Sequence, residues 1–310
     1  MNKIEKILIA YDGSDYADSA IEDLRGAGLP NRLESLVLTA TDAWELPTMV
    51  EATPPQMAVM SRAKIELIQR HLTECKERAK ALADDGAKRV KEMFPDWNVS
   101  AEAVIGKPAW EIIKKAEEWE ADLVTLGSHG RTAIGRVLLG SVSQKVLNEA
   151  HCSVRIARKR EDGENESPRV LVAFDGSDCA ETAVRMIAGR NWSKNTEFRI
   201  ITADDDPFSR PAVSVIDAMA EGAEDSEEGK AWIEKMISKP VRLLETAGLK
   251  VSHSVKWGDA RHIILREAET WKADSIFVGA RGLSRFKRFL IGSVSSAVAA
   301  KAKCSVEVVR

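Results

Sequence analysis

The sequence predicts an α/β protein made of two tandem, doubly wound domains. Its 310 residues are enough for about two domains, each long enough to bury its own core. An internal repeat divides the chain: LIAYDGSDYADSAI, ending at Ile21, recurs as LVAFDGSDCAETAV, ending at Val184. A second pair of segments, LGSHGRTAIGRVLLGSVS and VGARGLSRFKRFLIGSVS, follows in the same order. Short apolar runs alternate with helical patterns, which indicates a mostly parallel sheet whose strands are joined by helices.

The spacing of the repeated segments shows that the two copies differ in length. Asp12 corresponds to Asp175, an offset of 163 (175 − 12), and Gly127 corresponds to Gly279, an offset of 152 (279 − 127). The second copy is therefore 11 residues shorter (163 − 152) between the two segments. We expect the shortening after the second strand, in the region that corresponds to residues 43–95 of the first copy.

A polar segment separates the copies. Arg158–Arg169 reads RKREDGENESPR, which is highly charged and contains both Gly and Pro. Such a segment buries little apolar area, so it is typical of a linker. The sequence therefore predicts a first domain at residues 1–160 and a second at residues 166–310.

Five strand-like runs and four helical stretches alternate in the first copy. Runs such as ILIAY and DLVTLG are almost continuously apolar, as in strands buried on both faces of a parallel sheet. The third helix begins at Pro108, a residue that the first turn of a helix tolerates. Each connection between parallel strands should be a right-handed crossover. The expected strands are Lys6–Tyr11, Ser35–Ala40, Val99–Ile105, Asp122–Gly127 and Cys152–Ala157, and the expected helices are Ser14–Leu24, Met57–Lys91, Pro108–Glu118 and Ser141–Ala150.

Composition and charge argue against several classes of protein. The net charge is −3 and the pI about 6.1, without the clustered positive excess of a nucleic-acid-binding protein. The first apolar run is too short for a signal peptide, and no stretch reaches the roughly 18 apolar residues of a membrane span. The four cysteines form no CxxC pair and no metal-ligand spacing. We expect no nucleic-acid partner, no membrane association, no metal site and a cytoplasmic location with reduced thiols.

The strongest local signal is the glycine-rich segment Gly127-x2-Gly130-x9-Gly140-Ser141. Gly127 ends a strand, so the loop begins at the carboxyl edge of the sheet, where open α/β sheets bind ligands. Helix N-termini favour anions because of their unpaired amides and the helix dipole. The second copy keeps the spacing as Gly279-x2-Gly282-x9-Gly292-Ser293.

Polar side chains near this segment favour a phosphate ligand. Ser141 and Ser143 can donate hydroxyl hydrogen bonds, and Arg131 and Arg136 lie between the second and third glycines. The second copy is more basic there, with Arg281, Arg285, Lys287 and Arg288. A purely structural interpretation is also open, since glycines commonly follow strands and Ser141 could simply cap its helix. The spacing matches neither a Walker loop nor the dinucleotide GxGxxG pattern.

An aspartate follows the first strand of each copy. Asp12 and Asp175 stand before a Gly-Ser-Asp sequence that opens a helix. The carboxylate could bind a ribose hydroxyl or a base edge, or it could only start the turn while Ser14 or Asp15 caps the helix.

With these residues in place, the chain resembles the universal stress protein family in its tandem two-domain form. The resemblance covers nearly the whole chain. It is carried by the aspartate after the first strand, the G-x2-G-x9-G-S segment, the SVSQKVL and SVSSAVA helices, and the terminal strands CSVRIA and CSVEVV. It implies an adenine nucleotide alpha hydrolase-like fold, in which each domain has a five-stranded parallel sheet of order 3-2-1-4-5.

The resemblance also implies an adenine-nucleotide site in each domain, with ATP, ADP or AMP as ligand and Mg²⁺ as a further component. Adenine would lie near the first-strand aspartate and the end of the second strand, and the phosphates would lie on the glycine-rich segment. The residues implied are Asp12, Ala40, Leu126, Gly127, Gly130, Gly140, Ser141 and Ser143 in the first domain, and Asp175, Ala203, Val278, Gly279, Gly282, Gly292, Ser293 and Ser295 in the second.

Two further expectations come from the resemblance. The last strands of the two domains would pair edge to edge within the chain, with a homodimer as an alternative partner arrangement. The second copy has Gly258-Asp259-Ala260 where the usual pattern is Gly-x-Pro, so its third helix should begin differently.

Three functions remain open on the sequence. The first is a nucleotide-binding regulator or sensor in the stress response. The second is a slow ATPase or phosphotransferase, although His129 in the first copy is replaced by Arg281 in the second, which argues against a shared catalytic histidine. The third is an interaction scaffold with vestigial sites or sites for another ligand. We expect no catalytic residue and at most slow ATP hydrolysis.

Overall fold

Each half of the chain folds into a five-stranded parallel sheet with helices on both faces. The computed structural model describes residues 4–42, 62–130, 139–159, 167–204, 227–282 and 291–310, and their side chains except those of residues 62–65, 67, 204 and 227–235. Among the residues described, no helix is both long enough and apolar enough to cross a lipid bilayer.

The first half follows the order of elements that the alternation of patterns predicts. Ser14 caps the first helix by accepting a hydrogen bond from the Ala17 N–H, as expected of an N-cap serine. The elements are β1 (Lys6–Ala10), α1 (Asp15–Asp23) with a short 3₁₀ turn (Leu24–Gly26), β2 (Glu34–Thr41), α2 (Arg62–Met93), β3 (Asn98–Ile105), α3 (Pro108–Glu118), β4 (Leu123–Gly127), α4 (Ser141–Glu149) and β5 (Ser153–Ala157).

The second half repeats this order. Ser177 caps its first helix through the Ala180 N–H, in the same way as Ser14. The elements are β6 (Arg169–Ala173), α5 (Asp178–Ala188), β7 (Glu197–Asp204), α6 (Glu227–Thr246), β8 (Lys250–Trp257), α7 (Ala260–Thr270), β9 (Ser275–Gly279), α8 (Ser293–Lys301) and β10 (Ser305–Val309).

The strand order confirms the expected fold class. The first half is arranged β3-β2-β1-β4-β5 and the second β8-β7-β6-β9-β10, which is 3-2-1-4-5 in each. All pairs within a half are parallel. The order reverses between β1 and β4, whose register places Ile9 beside Thr125. The loops after these two strands therefore lie side by side at the carboxyl edge of the sheet.

The two halves meet at an antiparallel strand pair. In the register of β5 and β10, Arg155 lies opposite Glu307 and Val154 opposite Val308. The strands therefore form one ten-stranded sheet. This pair, called the seam below, covers one edge of each five-stranded sheet, and sheet edges left open are prone to unwanted pairing.

Helices cover both faces of the sheet. On one face α3, α4, α7 and α8 pack around Leu8, Ile156 and Val306, and on the other α1, α2, α5 and α6 pack around Ile9 and Phe198. Each of these apolar clusters includes residues of both halves, so the two cores are continuous across the seam.

In the first half, helix and strand bounds agree with the sequence expectation to within two residues wherever the expected residues are described. For α2 the expectation is Met57–Lys91 and the described helix is Arg62–Met93; residues 57–61 lie outside the described residues. The helix continues past Lys91 because Val90 is fully buried and the Phe94 N–H still donates to the Val90 carbonyl.

Candidate functional site

The loop aspartate and the second glycine of each copy meet at the switch point of the sheet. A Cβ atom added to Gly130 would lie 2.8 Å from Oδ2 of Asp12, and one added to Gly282 would lie 2.7 Å from Oδ2 of Asp175. Residues that are 118 positions apart in the first copy (130 − 12) are thus in direct contact, and the second copy repeats the contact. The strand order brings these residues together.

Backbone and side-chain hydrogen bonds fix the orientation of each carboxylate. In the first half, Oδ1 of Asp12 accepts from the Ser14 N–H at 3.0 Å and from the Ser14 hydroxyl at 2.6 Å. In the second half, Oδ1 of Asp175 accepts from the Ser177 N–H at 3.0 Å. The Ser177 hydroxyl donates instead to the Arg281 carbonyl, at 3.1 Å. In both halves Oδ2 is the oxygen that faces the glycine loop.

Two threonines that are not part of the predicted site support the same loops. The Thr39 hydroxyl donates to the Tyr11 carbonyl at 2.8 Å, and the Thr202 hydroxyl donates to the Phe174 carbonyl at 3.0 Å. Both threonines are buried, and each holds the peptide that precedes the loop aspartate. The sequence does contain a signal for them, because the two threonines, in β2 and β7, are separated by the repeat offset of 163 (202 − 39).

Gly127 and Gly279 are required by helix packing. A Cβ atom at Gly127 would lie 2.7 Å from the Tyr16 carbonyl oxygen, and one at Gly279 would lie 2.8 Å from the Ala180 backbone nitrogen. Each glycine therefore lets the first helix of its half approach the end of the neighbouring strand. The absence of a side chain at both positions therefore has a packing reason.

The second serine of each G-S-x-S segment is bound to the strand end. Ser143 donates its hydroxyl hydrogen to the Gly127 carbonyl at 2.7 Å, and Ser295 donates to the Gly279 carbonyl at 2.6 Å. Both serines are buried. Their hydroxyl protons are therefore engaged, and what they can offer a ligand is the backbone N–H of the first helical turn.

The helices that follow the glycine segments have open N-termini. Gly140 and Gly292 occupy the N-cap positions of α4 and α8, and no side chain of the described residues caps either helix. Ser141 and Ser293 are exposed at the first helical position. The loops close on themselves through hydrogen bonds from the Gly140 N–H to the Ser128 carbonyl and from the Gly292 N–H to the Ala280 carbonyl. An uncapped helix N-terminus is suited to an anion.

The apolar residues implied for the base lie at the same edge but differ in exposure. Ala40 is half-buried near the end of β2, where the Tyr11 N–H donates to the Leu38 carbonyl. Leu126 is buried within the core on the α3–α4 face. Ala203 and Val278 take the corresponding places in the second half, half-buried and buried respectively. Arg131, Arg136, Arg285, Lys287 and Arg288 lie outside the described residues.

The two loops differ at the second residue after the strand end. The His129 ring lies 5.2 Å from the Tyr16 ring between centroids, and its Nδ1 is 3.1 Å from the Ser128 hydroxyl. In the second half Arg281 and Cys179 replace His129 and Tyr16, and Arg281 is exposed. No group of three or more His, Cys, Asp and Glu side chains within the described ranges is arranged to hold a metal ion.

The third helix begins differently in the two halves, as expected. In the first half Lys107 precedes Pro108 and provides no side-chain cap. In the second half the Asp259 carboxylate accepts from the N–H groups of Arg261 and His262. Gly258 supplies the positive φ of 122° that leads into this cap. The aspartate thus replaces the proline as the device that starts the helix.

Comparisons with known proteins agree with this architecture. The model of the universal stress protein family matches twice, at residues 3–158 and 167–310. A universal stress protein of Methanocaldococcus jannaschii is 33% identical over 160 residues, which is 51% of this chain and 84% of the relative. One of Mycobacterium bovis is 29% identical over 220 residues, 69% of each chain.

Solved structures share the fold over the whole length. A universal stress protein of Archaeoglobus fulgidus aligns with a TM-score of 0.62 at 22% identity, covering 100% of this chain and 97% of the other. A protein of unknown function from Pseudomonas aeruginosa aligns with a TM-score of 0.59 at 14% identity, covering 99% and 93%. With a duplicated 3-2-1-4-5 fold and two family matches that together span nearly all of the sequence, this chain belongs to the universal stress protein family, in a tandem two-domain form.

Proposed function

We propose that the chain is an adenine-nucleotide-binding universal stress protein that acts as a regulator or sensor in the stress response. The observation that carries the proposal is the contact between the loop aspartate and the second glycine, which occurs beside an uncapped helix N-terminus in both halves. A carboxylate and an anion-binding helix end, both at the switch point, match the two ends of a nucleotide.

The residues of each half have separate roles in this proposal. Asp12 and Asp175 accept hydrogen bonds from the ribose. An accompanying Mg²⁺ would be held mainly by the nucleotide phosphates, with this one carboxylate as a protein ligand in each site. The first-turn amides of α4 and α8 bind the phosphates, together with the loop amides at Gly130 and Gly282. Ala40 and Leu126, and their counterparts Ala203 and Val278, line the space for adenine.

The structure supports binding more than catalysis. The residue after the strand-end dipeptide is His129 in one loop and Arg281 in the other, so the two sites share no general base at this position. We therefore propose weak or no ATPase activity. All four cysteines are free thiols, which supports a reducing compartment, and we propose a cytoplasmic location.

We further propose that the two domains, residues 1–160 and 166–310, pair within one chain. The antiparallel register of β5 and β10 and the apolar clusters shared by both halves support this arrangement. A homodimer of chains would then use surfaces other than the seam.

The first test is to measure the small molecules released by acid from purified protein, followed by calorimetry with added ATP. We expect about two adenine nucleotides per chain, one at each helix N-terminus. Absence of released nucleotide, together with no calorimetric binding, would overturn the proposal and favour the scaffold function.

Two variants assign the sites. In Gly130→Ala the new methyl group displaces the Asp12 carboxylate, a flexible side-chain end, so the first site should bind ATP at least about tenfold more weakly. Gly282→Ala should do the same at the second site through Asp175. Gly26→Ala is the matched control, since a Cβ there meets no atom within 4 Å. Unchanged ATP binding in both variants would contradict the role of the aspartates.

A further inference from the structure

The seam contains a buried pair of opposite charges at its centre. Arg155 and Glu307 lie opposite each other in the register of β5 and β10, and their side chains are 1% and 0% exposed. Nη1 of Arg155 is 3.3 Å from Oε2 of Glu307. Burial alone would lower the pKa of Arg155, but the carboxylates of Asp23 and Glu307 outweigh it and raise the pKa, so the guanidinium stays charged.

Two more charged residues extend the pair into a row. Arg155 donates from Nε to Oδ2 of Asp23 at 2.6 Å and from Nη2 to Oδ1 at 3.2 Å. On the other side, Arg190 donates from Nη1 to Oε2 of Glu307 at 3.0 Å and from Nη2 to Oε1. The row Asp23–Arg155–Glu307–Arg190 alternates in sign, and each half of the chain supplies two adjacent members.

The two central residues occupy equivalent positions of the repeat. The offset between them is 152 (307 − 155), the same as between Gly127 and Gly279. The pseudo-twofold axis that relates the halves therefore passes between Arg155 and Glu307. A residue on a true twofold axis meets its own copy, so a dimer of two identical domains would place like charges in contact there.

The flanking residues also differ between the halves. At an offset of 163, the counterpart of Asp23 is Met186 and the counterpart of Arg190 is Ala27. Arg190 donates to the Ala27 carbonyl at 2.9 Å, and its guanidinium lies 4.9 Å from the centroid of the Phe277 ring. Each half thus supplies its own partner for the charge that it places at the axis: Asp23 for Arg155, and Arg190 for Glu307.

We propose that Arg155 and Glu307 determine the partner at the seam: the β5 edge of the first domain accepts the β10 edge of a second domain and rejects another β5 edge. The domains of one chain satisfy this rule. Two first domains would bury Arg155 against Arg155, and two second domains would bury Glu307 against Glu307. Like charges at such a contact are costly in a site that water does not reach.

The test uses full-length chains with two different affinity tags, co-expressed in pairs. Glu307→Arg gives a chain with Arg at both edges, and Arg155→Glu gives a chain with Glu at both edges. Together they can form a 1:1 heterodimer in which the charges at both axes are opposite: one seam restores the native Arg155–Glu307 contact, and the other reverses it beside Asp23 and Arg190. We expect them to co-purify at least about tenfold more than two tagged copies of either variant alone.

Matched controls carry the same changes of charge on the exposed face of α3. Lys114→Glu and Glu118→Arg alter a surface pair whose side chains are 66% and 54% exposed, and co-expression of these two should give no more heterodimer than the unaltered chain gives. If Arg155 and Glu307 only stabilised the fold, each substitution would lower stability, and co-expression of the two seam variants would not increase heterodimer formation.

Three results would overturn the proposal. The first is equal co-purification of like and unlike pairs. The second is that each seam variant, expressed alone, is a monomer with the melting temperature of the unaltered chain. The third is insolubility of the co-expressed pair as well as of each variant, since the pair restores one native Arg155–Glu307 contact. None of these depends on nucleotide binding, so failure here is distinct from failure of the proposed function.

Discussion

Gly127 and Gly130 are three residues apart, but a side chain at each would meet different kinds of atom. At Gly127 the added Cβ meets backbone atoms of Tyr16 in α1, and at Gly130 it meets only the end of the Asp12 side chain. Backbone held in a helix yields less easily than a single carboxylate. One glycine therefore serves the fold, and the other serves the candidate site.

Gly127→Ala should accordingly destabilise the protein, because α1 has to move away from β4. We expect the free energy of unfolding to fall by about 1–3 kcal/mol, the usual effect of overpacking. Urea titration followed by circular dichroism measures it, with Gly130→Ala and Gly26→Ala as comparison variants that should stay near the unaltered value. Equal stability of Gly127→Ala and Gly26→Ala would contradict the packing interpretation.

The positions of many candidate-site residues could be predicted from the sequence, but the structural role of each residue could not. The aspartate and glycine positions were found because both recur at fixed offsets. The close approach of Tyr16 to Gly127, and the engagement of the Ser143 hydroxyl by the Gly127 carbonyl, depend on how α1 and α4 pack on the sheet. That packing brings together residues far apart in the sequence, and a pattern of local spacing does not contain it. Thr39 was overlooked because a buried hydroxyl on a strand looks like any strand threonine.

At the scale of elements, α7 is attached to its sheet by a cluster of three charged side chains. Glu267 accepts from Nη1 of Arg199 on β7 at 2.6 Å and from Nζ of Lys256 on β8. Its counterpart in α3, at an offset of 152 (267 − 115), is Lys115, which pairs with Glu102 on β3. Both helices are thus attached to their sheets by ion pairs, and the residue at the equivalent helix position has the opposite charge.

Glu267→Gln should weaken this attachment in a pH-dependent way. Burial by itself raises the pKa of Glu267, but the two cations outweigh it, so the pKa is lowered from its ordinary value of 4.5. A lowered pKa stabilises the folded protein at pH values above the ordinary one, and this contribution is lost as the pH falls through the folded-state value.

At pH 7 the glutamine variant should therefore be about 1–2 kcal/mol less stable, and the difference should shrink below about pH 4.5. Urea titrations of both proteins at several pH values between 7 and 3 measure it. Glu118→Gln, which alters exposed ion pairs on α3, should change stability by less than about 0.5 kcal/mol at every pH. A pH-independent difference for Glu267→Gln would rule out an effect of the ionised carboxylate.

On the scale of the whole molecule, each half provides an arginine that binds carbonyl groups at the C-terminal end of a helix in the other half. Nη2 of Arg158, just after β5, donates to the Ala299 and Ala300 carbonyls in the last turn of α8. Reciprocally, Arg310 donates from Nη1 to the Cys152 carbonyl and from Nη2 to the Leu147 carbonyl in α4. A cation at a helix C-terminus is favourable, so these arginines strengthen the contact between the halves.

Arg158→Ala should lower the free energy of unfolding by about 2 kcal/mol, because charge-assisted hydrogen bonds across the seam are lost. Scanning calorimetry should still show one transition, as expected where both apolar clusters are continuous between the halves. Arg25→Ala, at an exposed position, is the control and should change little. Two resolved transitions in the unaltered protein would mean that the halves unfold independently.

The repeat predicted the fold class of this molecule, since duplicated strand and helix patterns imply duplicated sheets. It did not predict the charges at the seam, although the signal was present: CSVRIAR and CSVEVVR differ in sign at one position of an otherwise apolar strand. Arg155 and Glu307 form a pair only because β5 and β10 lie opposite each other. The partner of a strand edge is a property of the assembled sheet.

The antiparallel direction of β5 and β10 also separates the two candidate sites in space. Strands within a half run parallel, and the direction reverses once, at the seam. The carboxyl ends of the first five strands therefore point toward one rim of the sheet, and those of the second five toward the opposite rim. A protein that docks on one rim covers one loop pair and leaves the other open to solvent.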